Sequence, residues 1–419
     1  MRTMGHRRSS GILLAAAVAV GLLALPPAGR TEEAKPAGGG EVVYSKTVLG
    51  KEYRIERIAG EKGAYRVSWG QETTKWEPKP YYENEVNEKG PMFYVEYSEA
   101  MKKLFPYNVP LEEREKFTAF DVQNSGAFFA PFVNGGLDLQ DMFEGHLYSP
   151  TGYRRDKTGF EYNKWFLEGR TRGVWDPNDT SGQPYRKYIF VFRSPRDLAK
   201  VGFLQIQYQG QKEDDNLLYV PTVRKVRRLA TANRQDATGG LVLRQEQNAL
   251  MTPIHNYKMI GSQLLRLAET DPGLGFEGTE DQGTPSNDAK RIDGMAEPCW
   301  VYETTPFRPD WWFARQVNYV GIFSMASWRT DSFDANGRLI QRLMWFQTLS
   351  PPGDDSRGVP QTGRKTFLAW GPAPVKDYTT GFLTIFFPSQ RTVNPNLPDS
   401  MYNTNTLIEE PKVIDFYRR

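Results

Sequence analysis

The sequence predicts a mainly β fold, and three observations carry that prediction. From Glu41 onward, short apolar runs rich in Val, Ile, Tyr and Phe alternate with turn residues. In the run Lys187 to Arg193, Tyr188, Phe190 and Phe192 alternate with Ile189 and Val191, so both faces of that strand are apolar and expected to be covered. Asn336-Gly337 separates the runs Ala326 to Phe333 and Arg338 to Gln347, and this dipeptide accepts the positive φ angles of a tight hairpin turn.

Taken in order, the other strand-like runs are Ala64 to Trp69, Gly202 to Tyr208, Leu217 to Val220, Gln263 to Glu269, Cys299 to Thr304 and Phe382 to Phe387. Helical spacing of apolar residues is found twice. Tyr97, Met101 and Leu104 predict a helix over Val95 to Phe105, and Leu139, Met142 and Phe143 predict one over Leu137 to Leu147. Segments near 271 to 297 and 350 to 365 are rich in Gly, Pro and Asp and are expected to be exposed loops.

The first 29 residues have the three-part pattern of a secretory signal peptide. Arg2, Arg7 and Arg8 precede an apolar run from Gly11 to Leu25, and Pro26-Pro27-Ala28-Gly29 follows. The run holds 15 residues, fewer than the roughly 20 that cross a bilayer, so cleavage is expected and a stable membrane span is not. The only cysteine, Cys299, lies far from the signal, which excludes a lipoprotein anchor there and any internal disulfide. Residues 30–40 read as a flexible linker and 41–419 as a single large β-rich domain. Export implies a periplasmic protein. The three arginines are the signal's only Asp, Glu, Lys or Arg residues, so the formal charge of +3 falls to zero on its removal.

Catalytic signatures are absent. Gly273 to Gly278 fits GxGxxG, but a Gly and a Pro stand where a helix must open onto a pyrophosphate. A calcium-loop match from Ser332 lacks its first Asp and has Leu343 in place of the twelfth-position Glu. His146 and His255 lie in no metal-ligand spacing, so no metal or cofactor is expected. The adjacent acids Asp214-Asp215, Asp354-Asp355 and Glu409-Glu410 read as solvated charge, and no enzyme activity is expected.

The segment Leu217 to Gly240, LLYVPTVRKVRRLATANRQDATGG, concentrates cations at Arg224, Lys225, Arg227 and Arg228. If Val223 to Leu229 is a strand, period two spreads them over both faces, which argues against a groove for nucleic acid. Two readings remain: charged residues that protect a sheet edge, or a basic rim for an anionic head group or acidic partner.

This segment resembles the block W-x-Y-x-P-x-x-R-x-V-R-R of a bacterial domain-of-unknown-function family labelled outer membrane lipoprotein-sorting protein, with Leu217 where the family prefers Trp. Residues 97 to 106, YSEAMKKLFP, resemble its N-terminal helix, and Tyr319 to Leu343 resemble its Asp-Gly hairpin. The family is similar to the periplasmic carriers LolA and LolB. The resemblance implies a large curved antiparallel sheet, or half-barrel, with helices covering an apolar cavity. It further implies a lipid or other apolar ligand, an RND-type transporter and an outer-membrane protein as partners, and no catalytic residues. Candidate cavity-wall residues are Phe190, Phe203, Ile206, Trp345 and Phe346, each of which also suits ordinary core packing. Two other classes stay open: an enzyme acting on an envelope polysaccharide, and a structural adaptor to an outer-membrane partner.

Overall fold

The computed structural model describes residues 40–76, 111, 113–123, 138–151, 154–166, 176, 178–248, 255–266, 296–345, 347–350, 367–370, 373–393, 400 and 402–409. The strands are β1 (Val42–Val48), β2 (Lys51–Arg57), β3 (Tyr65–Trp69), β4 (Glu72–Trp76), β5 (Asp138–Tyr148), β6 (Arg154–Phe166), β7 (Pro184–Ser194), β8 (Gly202–Tyr208), β9 (Asp215–Val220) and β10 (Lys225–Arg228). They continue with β11 (His255–Arg266), β12 (Ala296–Pro306), β13 (Arg315–Gly321), β14 (Ser327–Phe333), β15 (Leu339–Met344), β16 (Gln347–Ser350), β17 (Phe367–Trp370), β18 (Ala373–Asp377) and β19 (Leu383–Val393).

Strands β1 to β4 form a meander, and β16 pairs with β17. The main sheet has 13 strands in the order β10-β9-β8-β7-β6-β5-β19-β18-β15-β14-β13-β12-β11, antiparallel throughout. Among the described residues its end strands, β10 and β11, do not pair with each other, so the sheet is open rather than a closed barrel.

The sheet curls, and its side-chain contacts show how far. Strands β8 and β15 are six steps apart, about 29 Å across a flat sheet at the usual inter-strand spacing. Yet Phe190 and Phe203 from β7 and β8 share one buried cluster with Leu343, Val375 and Phe386 from β15, β18 and β19. Only a concave face brings these residues round to common neighbours. A second core forms where the β1 to β4 meander packs on the other half of the main sheet, joining Tyr53, Val67 and Trp69 to Trp300, Val320 and Trp328. The outer face behind β7 to β9 is covered by the short helix Thr404–Ile408, whose Leu407 joins Ile189, Leu204 and Tyr219.

The hairpin read from Asn336-Gly337 joins β14 to β15, with Gly337 at φ 77° and Asp334 Oδ1 accepting from the backbone N–H groups of Asn336 and Arg338, both at 2.9 Å. Of the segment Leu137 to Leu147, expected to be helical, residues 138–147 lie in strand β5. Its backbone pairs along its length with β19 on one side and β6 on the other, and that double ladder outweighs the local helical spacing. The segment near 271 to 297 was expected to be exposed, but Ala296 and Glu297 begin β12 in the core. The expected helix over Val95 to Phe105, the signal, residues 30–39, Gly273 to Gly278, Phe346 and Asp354-Asp355 lie outside the described residues. Among the described residues, no helix is long and apolar enough to cross a membrane.

Candidate functional site

The period of two along β7 places Tyr188, Phe190 and Phe192 on the concave face, and Phe203 lies directly opposite Phe190 on β8. Their rings pack at centroid distances of 5.1 to 5.9 Å, in tilted and edge-on arrangements. Trp345, half-buried, packs against the same cluster. Ile206 does not. Three residues beyond Phe203 on one strand, it falls on the other face and packs with Leu204, Leu217 and Val226, which removes it from the wall. Farther along the concave face the character changes to polar: Gln205 Nε2 donates to Asn216 Oδ1 at 2.8 Å, and Arg186 donates to Gln207.

This face is covered by the segment that follows the basic run. A 3-10 turn, Thr231–Gln235, brings Arg234 over the polar part, where it meets Asp214 at 3.4 Å with both side chains nearly buried. The chain then forms a miniature hairpin. Ala237 bridges Arg244, the Thr238 N–H donates to the Leu243 carbonyl at 2.8 Å, and the Leu241 N–H donates to the Thr238 carbonyl at 3.0 Å. Gly239 and Gly240 sit at φ 59° and 78°, the paired left-handed geometry of a type I′ turn. Leu241 and Leu243, 2% and 0% exposed, fill the apolar part of the face.

The hairpin is held from the sheet. The Val242 N–H donates to Thr384 Oγ1 of β19, and the Val242 carbonyl accepts from Gln341 Nε2 of β15, both at 3.0 Å. Gly145 on β5 leaves the room that Leu241 needs, since a Cβ there would lie 2.5 Å from Leu241 Cδ1. At the hairpin's root, Glu246 Oε1 accepts from the indole N–H groups of Trp311, at 3.1 Å, and Trp312, while His255 Nε2 lies 3.5 Å from Glu246 Oε2.

The acids at 214 and 215, expected to be solvated, are partners instead. Asp214 serves Arg234, and Asp215 pairs with Arg228 at 2.7 Å and accepts from the Tyr208 hydroxyl at 2.6 Å. Burial and the neighbouring Asp215 hold the Tyr208 hydroxyl well above its ordinary pKa. The basic segment forms the β9–β10 hairpin, with Arg224 in its turn and Lys225, Arg227 and Arg228 on the outermost strand. All four are exposed. Phe190, Phe203 and Trp345 are therefore brought together, while the cations occupy the sheet's edge.

A second polar site, unmarked in the sequence reading, lies in the other core. Glu297, 1% exposed, accepts from the Ser324 hydroxyl and the Trp328 indole, both at 2.5 Å, and from the Phe323 and Ser324 N–H groups at 3.0 and 3.1 Å. Burial pushes its carboxyl up to about 7 against the pull of these donors. On the opposite side of the same turn, the buried Arg114 guanidinium donates to the Ile322 and Phe323 carbonyls. The turn between β13 and β14 is thus fixed from both its amide and its carbonyl sides. Cys299 is fully buried, and burial raises its thiol pKa well above the ordinary value. Among the described residues, no cluster of His, Cys, Asp and Glu has metal-site geometry.

A family model described as an uncharacterized protein matches residues 185–252, the stretch from β7 through the covering hairpin. No curated protein matches the chain. Among solved structures, the chain is similar to an outer membrane lipoprotein-sorting protein domain from Vibrio parahaemolyticus at 14% identity, with 65% of this chain and 91% of that chain covered and a TM-score of 0.45. A DUF1329 family protein from Desulfovibrio piger has 16% identity, 70% and 100% coverage and a TM-score of 0.46. A LolA superfamily protein from Nitrosomonas europaea has 13% identity, 69% and 99% coverage and a TM-score of 0.39. The lipoprotein-sorting and LolA descriptions to which the sequence bears a resemblance are thus the ones these similar structures carry.

Proposed function

We propose that the protein is a periplasmic carrier that shelters an apolar ligand, an acyl chain in particular, on the concave face of its open sheet. One observation carries the reading: the aromatic floor made by Tyr188, Phe190, Phe192 and Phe203 is covered by a small hairpin, Ala237 to Arg244. Such a cover is displaceable. Its two buried leucines contribute about 2 kcal/mol each, which five methylenes match at about 0.8 kcal/mol apiece, so a longer acyl chain wins the exchange. The sequence's likeness to a carrier family, its export pattern and the absence of a recognisable catalytic motif support the same reading. An RND-type exporter and an outer-membrane acceptor belong to it as partners.

The test is uptake of a fluorescent fatty acid, followed by native mass spectrometry of protein taken gently from the periplasm. Leu241→Ala with Leu243→Ala is expected to raise uptake by freeing the floor. Phe190→Asp is expected to abolish it in a protein whose circular dichroism is unchanged. Failure of wild type and the double alanine variant alike to bind any acyl probe would sink the carrier reading.

A further inference from the structure

We propose that the loop end of strands β7 to β10 is a docking surface for an anionic lipid bilayer. Because the strands are antiparallel, the β7–β8 and β9–β10 turns lie at one end of the sheet: Val191 faces Gly202, Gly202 faces Tyr219, and Val220 faces Lys225. Arg196 is exposed around the first turn, and Arg224, Lys225 and Arg227 around the second. Among the described residues, the exposed acids at this end are Asp197 and Glu409, so positive charge is in excess there. This excess is local, for the whole chain carries only +3 over 419 residues. Arg228 is left out because Asp215 neutralises it.

Apolar side chains stand among these cations. Val223, at the tip of the β9–β10 turn, is 47% exposed, and Ile408 is 46% exposed. Ile408 belongs to this end because its neighbour Leu407 packs against the backbone at Gly202, where an added Cβ would lie 2.6 Å from Leu407 Cδ1. A bilayer interface accommodates both features, since cations meet lipid phosphates while short apolar groups enter the head-group layer. An acidic protein would satisfy the cations and leave exposed Val223 and Ile408 unexplained.

The location also fits the carrier reading, on which this part of the argument rests. Gly159 of β6 faces Ser194, and Tyr148 of β5 faces Leu383, so the same end continues to Thr384, the residue that holds the covering hairpin. A lipid leaving the bilayer at this end meets the cover directly.

Co-sedimentation with phosphatidylcholine vesicles, with and without phosphatidylglycerol, tests the proposal. Wild type is expected to bind the anionic vesicles and to be released by salt. At roughly fivefold per cation, replacing Arg224, Lys225 and Arg227 by Glu is expected to lower partition by at least about 100-fold. Val223→Ser is expected to lower it several-fold without changing the salt dependence. Equal binding to neutral and anionic vesicles, undiminished binding by the triple variant, or binding to polyglutamate but not to vesicles would each overturn the proposal. Phe190→Asp separates the two readings, since it is expected to keep vesicle binding while losing fatty-acid uptake.

Discussion

Glu297 shows what a single buried carboxyl contributes to this structure. Its four donors come from one turn and one strand, and it has no cationic partner among the described residues. Titrating near 4.5 when unfolded and at about 7 when folded, it retains a proton in the folded state over a range where the unfolded chain has lost it. Its contribution to stability is therefore complete below the lower value and lost as pH rises through about 7. Thermal unfolding at a series of pH values is expected to show the wild-type midpoint falling across that window. Glu297→Gln, which keeps a neutral side chain of the same shape, is expected to remove this part of the slope. Parallel pH profiles for the two proteins would show that the carboxyl does not titrate there. The position escaped the sequence reading because a lone Glu beside a Gly- and Asp-rich stretch looks solvated, and its donors lie 26 to 31 residues away.

The hairpin Ala237 to Arg244 depends on Gly239 and Gly240, whose left-handed backbone disfavours any other residue. Replacing each by Ala is expected to cost about 1 to 2 kcal/mol and to speed hydrogen exchange at the Thr238 and Leu241 amides, while β7 and β8 stay protected. Exchange that rises equally in all these elements would show that the hairpin opens only with the whole sheet. Its signal was in the chain: Gly239-Gly240 followed by the apolar run Leu241-Val242-Leu243 is a turn leading into a strand-like segment. The strand β7 and the Asn336-Gly337 hairpin were legible because period two and turn chemistry act locally. Period two also separates Phe203 from Ile206, since an odd spacing puts them on opposite faces. Strand β5 was harder to read, because Leu139, Met142 and Phe143 suit a helical stripe and only pairing with β6 and β19 decides between the two forms.

At the scale of the molecule, an open sheet leaves two edges, and β10 is the charged one. Lysine and arginine on an outer strand resist pairing with a second chain, because approach would crowd like charges. Lys225→Thr with Arg227→Val is expected to produce a concentration-dependent dimer in sedimentation velocity, and a strictly monomeric variant would show that charge does not guard this edge. The curvature was legible only through family resemblance, since it shows in a buried cluster that joins Phe203 on β8 to Leu343 on β15, 140 residues apart in sequence. It has a mechanical corollary. Val242 is tied by its N–H to β19 and by its carbonyl to β15, strands that are not neighbours but have β18 between them. One peptide segment therefore acts as a caliper across three strands: whatever flattens the sheet must stretch or break those two bonds, and whatever lifts the segment frees the sheet to widen.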